Sequence, residues 1–156
     1  MNDIKHYTIS VLQDLIKISK DEYFLLELAS RKSNDVELKS LLAVYAGEKK
    51  EHIIKLDAEV RRLGGYPETN NDVLEISIEF CQSYSIEESQ NDIIAECLKK
   101  DDLTILRYFD AIRKNIMWEV VPLVSKQYFV SKNLHDQIKN VYIERPARLV
   151  QKIEIN

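Results

Sequence analysis

Residues 36–65 read VELKSLLAVYAGEKKEHIIKLDAEVRRLGG. Leu38, Leu41, Leu42, Tyr45, Lys49, His52, Leu56, Val60 and Leu63 recur along this stretch at steps of three and four, the period of one helix face. No proline interrupts the run, and Gly64-Gly65 follows it, as glycine does where a chain turns out of a helix. Asn34 or Asp35 stands where an N-cap is needed. A helix from about Val36 to Leu63 is therefore expected, roughly 40 Å long at 1.5 Å per residue. Such a helix needs neighbours of similar length to cover its apolar face.

Those neighbours are visible on both sides. Upstream, Leu12, Leu15, Ile16, Ser19, Tyr23, Leu26 and Ser30 give a helix from about Thr8 to Arg31, joined to the next by the short turn Ser33-Asn34-Asp35. Downstream, a third helix is expected from about Ile86 to Asn115, with the seam Ile94, Cys97, Asp101, Thr104, Tyr108, Ala111 and Asn115. A fourth follows from about Glu119 to Tyr142, through Val121, Val124, Tyr128, Lys132, His135, Ile138 and Tyr142, with Pro122 in its first turn. The stretch from Gly64 to about Ser85 is too long for a hairpin. It contains Pro67, a polar cluster and an apolar segment from Val73 to Cys81, which reads as a short helix between loops. Short, long and short connections fit an all-α, ferritin-like four-helix bundle, in which a long crossover lets the second and third helices run parallel. Pro146 is expected to end the fourth helix, dividing a bundle of residues 1–145 from a tail of residues 146–156.

Composition narrows the class. The 156 residues suit one core, with 45% hydrophobic and 31% charged residues and only three glycines and three prolines. The net charge of −4 comes from interspersed signs, with no basic stripe for nucleic acid and no basic amphipathic face for a membrane. No leader-like N-terminus or long apolar run is seen, so a cytoplasmic location is expected. Cys81 and Cys97 lack metal-ligand spacing and read as free thiols of a reducing compartment. No glycine-rich phosphate loop, nucleophile elbow or Cys-x-x-Cys is present.

The residues that break the apolar seams carry the chemistry, because a core position excludes charge unless it is paired. Lys49 and His52 lie three apart on the second helix, and Lys132 and His135 repeat that spacing on the fourth. Glu27 on the first helix and Asp101 on the third fall at or beside seam positions. Glu48, four before His52, and Glu51 form a rival set, since carboxylate and imidazole on adjacent turns can share a metal; the same run also reads as a solvated face with helical charge pairs. Tyr23, Tyr45, Tyr108 and Tyr128 read as core fillers whose hydroxyls reach the polar network. Trp118 reads as a packing anchor near the last turn, and His6 as a surface residue.

The pattern of one acid on the first helix of each hairpin and a Lys-x-x-His on the second resembles the ferritin-like carboxylate bundles, where two helices give a Glu each and two give a Glu-x-x-His. Within that superfamily, VLQDLIKI from Val11, ELKSLL from Glu37, EVRRLGGYP from Glu59 and KQYFVSKNLHDQIK from Lys126 are similar to a bacterial family known as domain of unknown function 2383. The resemblance spans about residues 8–142 and implies a ferritin-like fold without an assigned activity. Carried over by position, it implies Glu27, His52, Asp101 and His135 as remnants of a ligand set, with Lys49 and Lys132 where the two remaining glutamates would stand. A protonated lysine has three donors and no acceptor.

Glu27, Lys49, His52, Asp101, Lys132 and His135 are therefore expected to form a core network that replaces a di-iron site. The protein then reads as non-catalytic, a structural, stress-associated or interaction module with no cofactor. It is expected to dimerise through the outer faces of the first and third helices or through the tail. The alternative is a divergent iron or manganese carboxylate protein, an oxidase or a store, using Glu27, Glu48, Glu51, His52, Asp101 and His135.

Overall fold

The computed structural model describes the backbone of residues 2–66 and 90–155, and the side chains of residues 3–66 and 93–143. The expected short helix at Val73–Cys81 lies outside the described residues. Four helices are present: α1 (Asn2–Lys32), α2 (Val36–Arg62), α3 (Gln90–Arg113) and α4 (Val121–Ile155). No described helix is long and apolar enough to cross a membrane.

The local chemistry sets where α2 begins and ends. Asp35 has extended backbone and accepts a hydrogen bond from the Leu38 N–H at 3.1 Å, satisfying one of the free donors of the first turn. At the other end Gly64 takes a left-handed φ of 87°. Its N–H donates to the Arg61 carbonyl, and that of Gly65 donates to the Val60 carbonyl, at 3.0 and 2.9 Å. These two bonds close the helix as a Schellman motif.

Each helix packs on two neighbours: α1 on α2 and α3, and α4 on α3 and α2. The Met117 N–H donates to Thr8 Oγ1 at 3.0 Å, so the end of α3 lies beside the start of α1. Hence α3 runs antiparallel to α1, in the same direction as α2, and α4 returns alongside α3. This is the four-helix, ferritin-like arrangement that the connection lengths predict. Leu12, Leu15, Leu26, Leu42, Leu56, Ile93, Ile94, Val124 and Ile138 are among its fully buried apolar side chains.

Two expectations need correction. Helix α4 does not stop at Pro146 but continues to Ile155. Proline removes only one N–H, and Ala147, Arg148, Leu149, Gln151 and Lys152 beyond it are strong helix formers. Trp118 is no anchor: it is 83% exposed in the turn between α3 and α4. Val120 and Ile116 fill the space beneath that turn instead, being smaller and without a polar atom to satisfy.

Candidate functional site

A charged layer crosses the middle of the bundle. Inward side chains at three- and four-residue spacing come from every helix: Ser19 and Glu22 from α1, Tyr45 and Lys49 from α2, Asp101, Thr104 and Tyr108 from α3, and Gln127, Ser131 and His135 from α4. All are buried. Lys49 lies at the centre. Its Nζ is 3.5 Å from Glu22 Oε2, donates to Ser131 Oγ at 3.3 Å, and sits 5.3 Å from the ring centres of both Tyr45 and Tyr108. The two rings give the fully buried ammonium a cation–π environment.

Asp101 is the second hub. The Tyr45 hydroxyl donates to its Oδ1 through a very short hydrogen bond, and His135 Nδ1 lies 2.7 Å from its Oδ2. The other ring nitrogen of His135 faces Asp102 Oδ1 at 3.1 Å, and Asp102 is a 70% exposed side chain. The layer is thus joined to solvent through Asp101, His135 and Asp102. On its other side, Tyr108 donates to Gln127 Oε1 at 2.7 Å, and Gln127 Nε2 donates to the His52 carbonyl at 3.2 Å.

Burial sets the protonation of these groups. It pushes the Glu22 carboxyl well above its ordinary range; Lys49 pulls it back only in part, and Asp101 adds to the rise. Neither Glu22 oxygen makes a hydrogen bond of good geometry among the described residues, although Asp101, Thr104 and Lys49 are near enough to act on it. Burial also raises the Asp101 carboxyl, against the pull of its hydrogen bonds and of Lys49. For Lys49 burial acts downward, but Glu22, Tyr108 and Asp101 outweigh it, and the ammonium holds its proton more tightly than usual. One ammonium therefore faces two carboxyls, and burial pushes both toward their protonated forms, Glu22 the more strongly.

The expected network is gathered only in part. Lys49, Asp101 and His135 meet in the layer. His52 is buried a turn away, where burial and then Lys49 press its pKa down to about 3. Its Nδ1 has no partner among the described residues, and its Nε2 stands 3.9 Å from Glu48. Glu27 is not in the layer: its side chain is 28% exposed and pairs with Arg31 on the surface of α1. Lys132 is not in it either: its side chain is half exposed, 3.5 Å from Asp136. The physical reason is register. Glu22 and Tyr23 both fit between Ser19 and Leu26, and Ser131 and Lys132 both fit before His135. On α4 the helix turns Ser131, the neighbour of Lys132, inward; on α1 the acid that faces in is Glu22, five residues before Glu27, with Tyr23 buried beside it.

Glu48 and Glu51 face solvent, so the rival ligand set does not converge. Among the described residues no three His, Cys, Asp or Glu side chains are grouped as a metal would need. The donor chemistry agrees. A di-iron pair needs bridging carboxylates, and here a protonated lysine stands beside Glu22 where a cation would have to lie. The residues present do not fit such a centre.

Residues 7–114 match the family described as "Domain of unknown function (DUF2383)", and the chain belongs to that family. No match is found among curated proteins. The solved structures that share its fold include these two. One is a two-domain protein from Anabaena variabilis with DJ-1/ThiJ/PfpI-like and ferritin-like domains, with 18% identity over 92% of this chain and a TM-score of 0.73. This chain spans only 38% of that protein's length. The other is a dodecameric thioferritin, the bacterioferritin-related protein from Bacteroides fragilis, with 12% identity, 96% of this chain and 95% of that one covered, and a TM-score of 0.71. The ferritin-like fold is thus established from the helices and from the comparisons together.

Proposed function

We propose that this protein is a non-catalytic, ferritin-like module of the bacterial cytoplasm, acting through its outer surface, with Lys49 supplying the positive charge that a metal supplies in carboxylate bundles. The observation that carries this reading is the Lys49 ammonium, fully buried between the acids Glu22 and Asp101 and the rings of Tyr45 and Tyr108. Such a layer fixes helix register, because each hydrogen bond is made in only one alignment of the four helices. Buried free Cys97 suits a reducing compartment.

Self-association is part of the proposal. Phe109 and Phe129 are large apolar side chains open to solvent on α3 and α4, bridged by the ring of Tyr128 at 6.1 and 5.2 Å. An exposed aromatic cluster of this kind marks an interaction surface. The dodecameric neighbour adds that this fold supports assembly in at least one relative.

The test is elemental analysis of protein purified without chelator, with anaerobic iron(II) and manganese(II) titration followed by thermal melting. The expected result is no stoichiometric metal and an unchanged melting temperature. Stoichiometric metal that is lost in His135→Ala would overturn the reading. Sedimentation velocity on the same sample should show a concentration-dependent oligomer that Phe129→Glu dissociates; a monomer at every concentration would remove the assembly claim.

A further inference from the structure

We propose that Glu22 and Lys49 condense, within the folded chain, to an isopeptide bond that ties α1 to α2. The proposal rests on the register-fixing role of the same buried layer: in the condensed form an amide, and no longer the Lys49 charge, holds α1 to α2. Three observations carry it. The two side chains are fully buried and face each other across the α1–α2 interface, with Nζ 3.5 Å from Oε2. That is longer than the 2.7–2.9 Å to which a charge-assisted hydrogen bond contracts, so the groups touch without forming a tight ion pair. Finally, neither Glu22 oxygen makes a hydrogen bond of good geometry among the described residues, though Asp101 and Thr104 lie close, a costly state for a buried carboxyl that amide formation relieves by removing one oxygen.

The surroundings supply the remaining parts. Tyr45 and Tyr108 wall the site and exclude water, which would otherwise hydrate both reactants. Burial favours the acid form of Glu22, the form whose carboxyl carbon is an electrophile. Asp101 is close enough to influence both groups through its charge and is oriented by Tyr45 and His135. The transfer is uphill, because the ammonium is held tightly, so the step is slow: in a small fraction of chains Asp101 takes a proton from the Lys49 ammonium, and the free amine attacks Glu22 Cδ. The N–C bond forms, the attacking nitrogen gives up a second proton, and one proton goes to the departing hydroxyl as the C–O bond breaks. Ammonium and carboxylic acid thus become amide, water and one proton. That proton leaves along Asp101, His135 and the exposed Asp102. No oxidant or cofactor is needed. The product removes the buried ammonium charge and leaves Asp101 paired with His135.

Intact mass spectrometry of the denatured full-length protein tests this, after incubation of the folded chain. The expected mass is lower than that of the sequence by one water. A protease digest should then contain a branched peptide joining the segment with Glu22 to that with Lys49. Lys49→Arg should keep its full mass, and Glu22→Gln should lose ammonia instead of water. Asp101→Asn should accumulate the lighter form more slowly. A wild-type chain at full mass overturns the proposal whatever the variants do, as does a water loss mapped to another site, such as a cyclised aspartate. Metal content is read separately. A metal-free chain at full mass removes the crosslink and leaves the structural reading; a crosslinked chain with stoichiometric metal does the reverse.

Discussion

At the scale of single residues, His52 makes the clearest statement. It is buried and neutral, with its pKa pressed down to about 3 by burial and by Lys49. In the unfolded chain an imidazole takes up its proton near pH 6.5. Between those values the unfolded state binds the extra proton, so stability is full above about pH 6.5 and falls as pH drops toward about 3. Glu22 acts with the opposite sign, since its raised carboxyl favours the folded state as pH falls. The readout is therefore a difference. Denaturant unfolding of wild type and His52→Gln, each at about pH 7.5 and about pH 4.5, should show the wild type losing on the order of 2 kcal/mol more than the variant. Equal losses would mean that His52 is solvated. The presence of acid, lysine and histidine in the core was legible in the sequence, because Lys49, Asp101 and His135 interrupt otherwise apolar seams. Which acid faces in on α1 was not. A step of three then four leads to Glu22 and a step of four then three to Tyr23, and an apolar ring is the more ordinary core residue. The same ambiguity hid Ser131 behind Lys132, since a hydroxyl gives no charge signal and a lysine does.

At the scale of the element, the end of α2 separates two uses of glycine. A Cβ on Gly64 would have open space, with Lys5 Nζ nearest at 3.9 Å, but φ is 87°. A Cβ on Gly65 would stand 2.9 Å from Ile9 Cγ2 and 3.0 Å from Val60 Cγ1. Gly64→Ala should cost about 1 kcal/mol through its backbone conformation alone. Gly65→Ala forces core side chains to move and should cost more, roughly 1–3 kcal/mol. Urea unfolding of the two variants checks the order, and a reversed order would place the strain in the wrong residue. The glycine pair marked this terminus in the sequence because glycine readily takes the left-handed backbone that closes a helix. Pro146 misled by the same logic, since its effect depends on the helix formers that follow it.

At the scale of the whole molecule, the described residues of the hairpins α1–α2 and α3–α4 also meet through polar contacts outside the charged layer. Thr8 takes the Met117 N–H while its own hydroxyl donates to the Ile4 carbonyl at 2.7 Å, so one side chain caps a turn and docks one hairpin on the other. The topology was readable from connection lengths. The outer aromatic face was not, because Tyr128 counts equally well as core or surface by spacing, and only the helix rotation places Phe109 and Phe129 outside.

The position of Trp118 governs how this protein can be watched. It is the sole tryptophan of the chain, and most of its indole already lies in water. Its emission should sit near the red limit in the native state and barely shift in denaturant. A flat fluorescence trace would then coexist with a full cooperative loss of helical circular dichroism. The tyrosines enclosed around Lys49, followed by near-ultraviolet dichroism, are the chromophores that sense the interior.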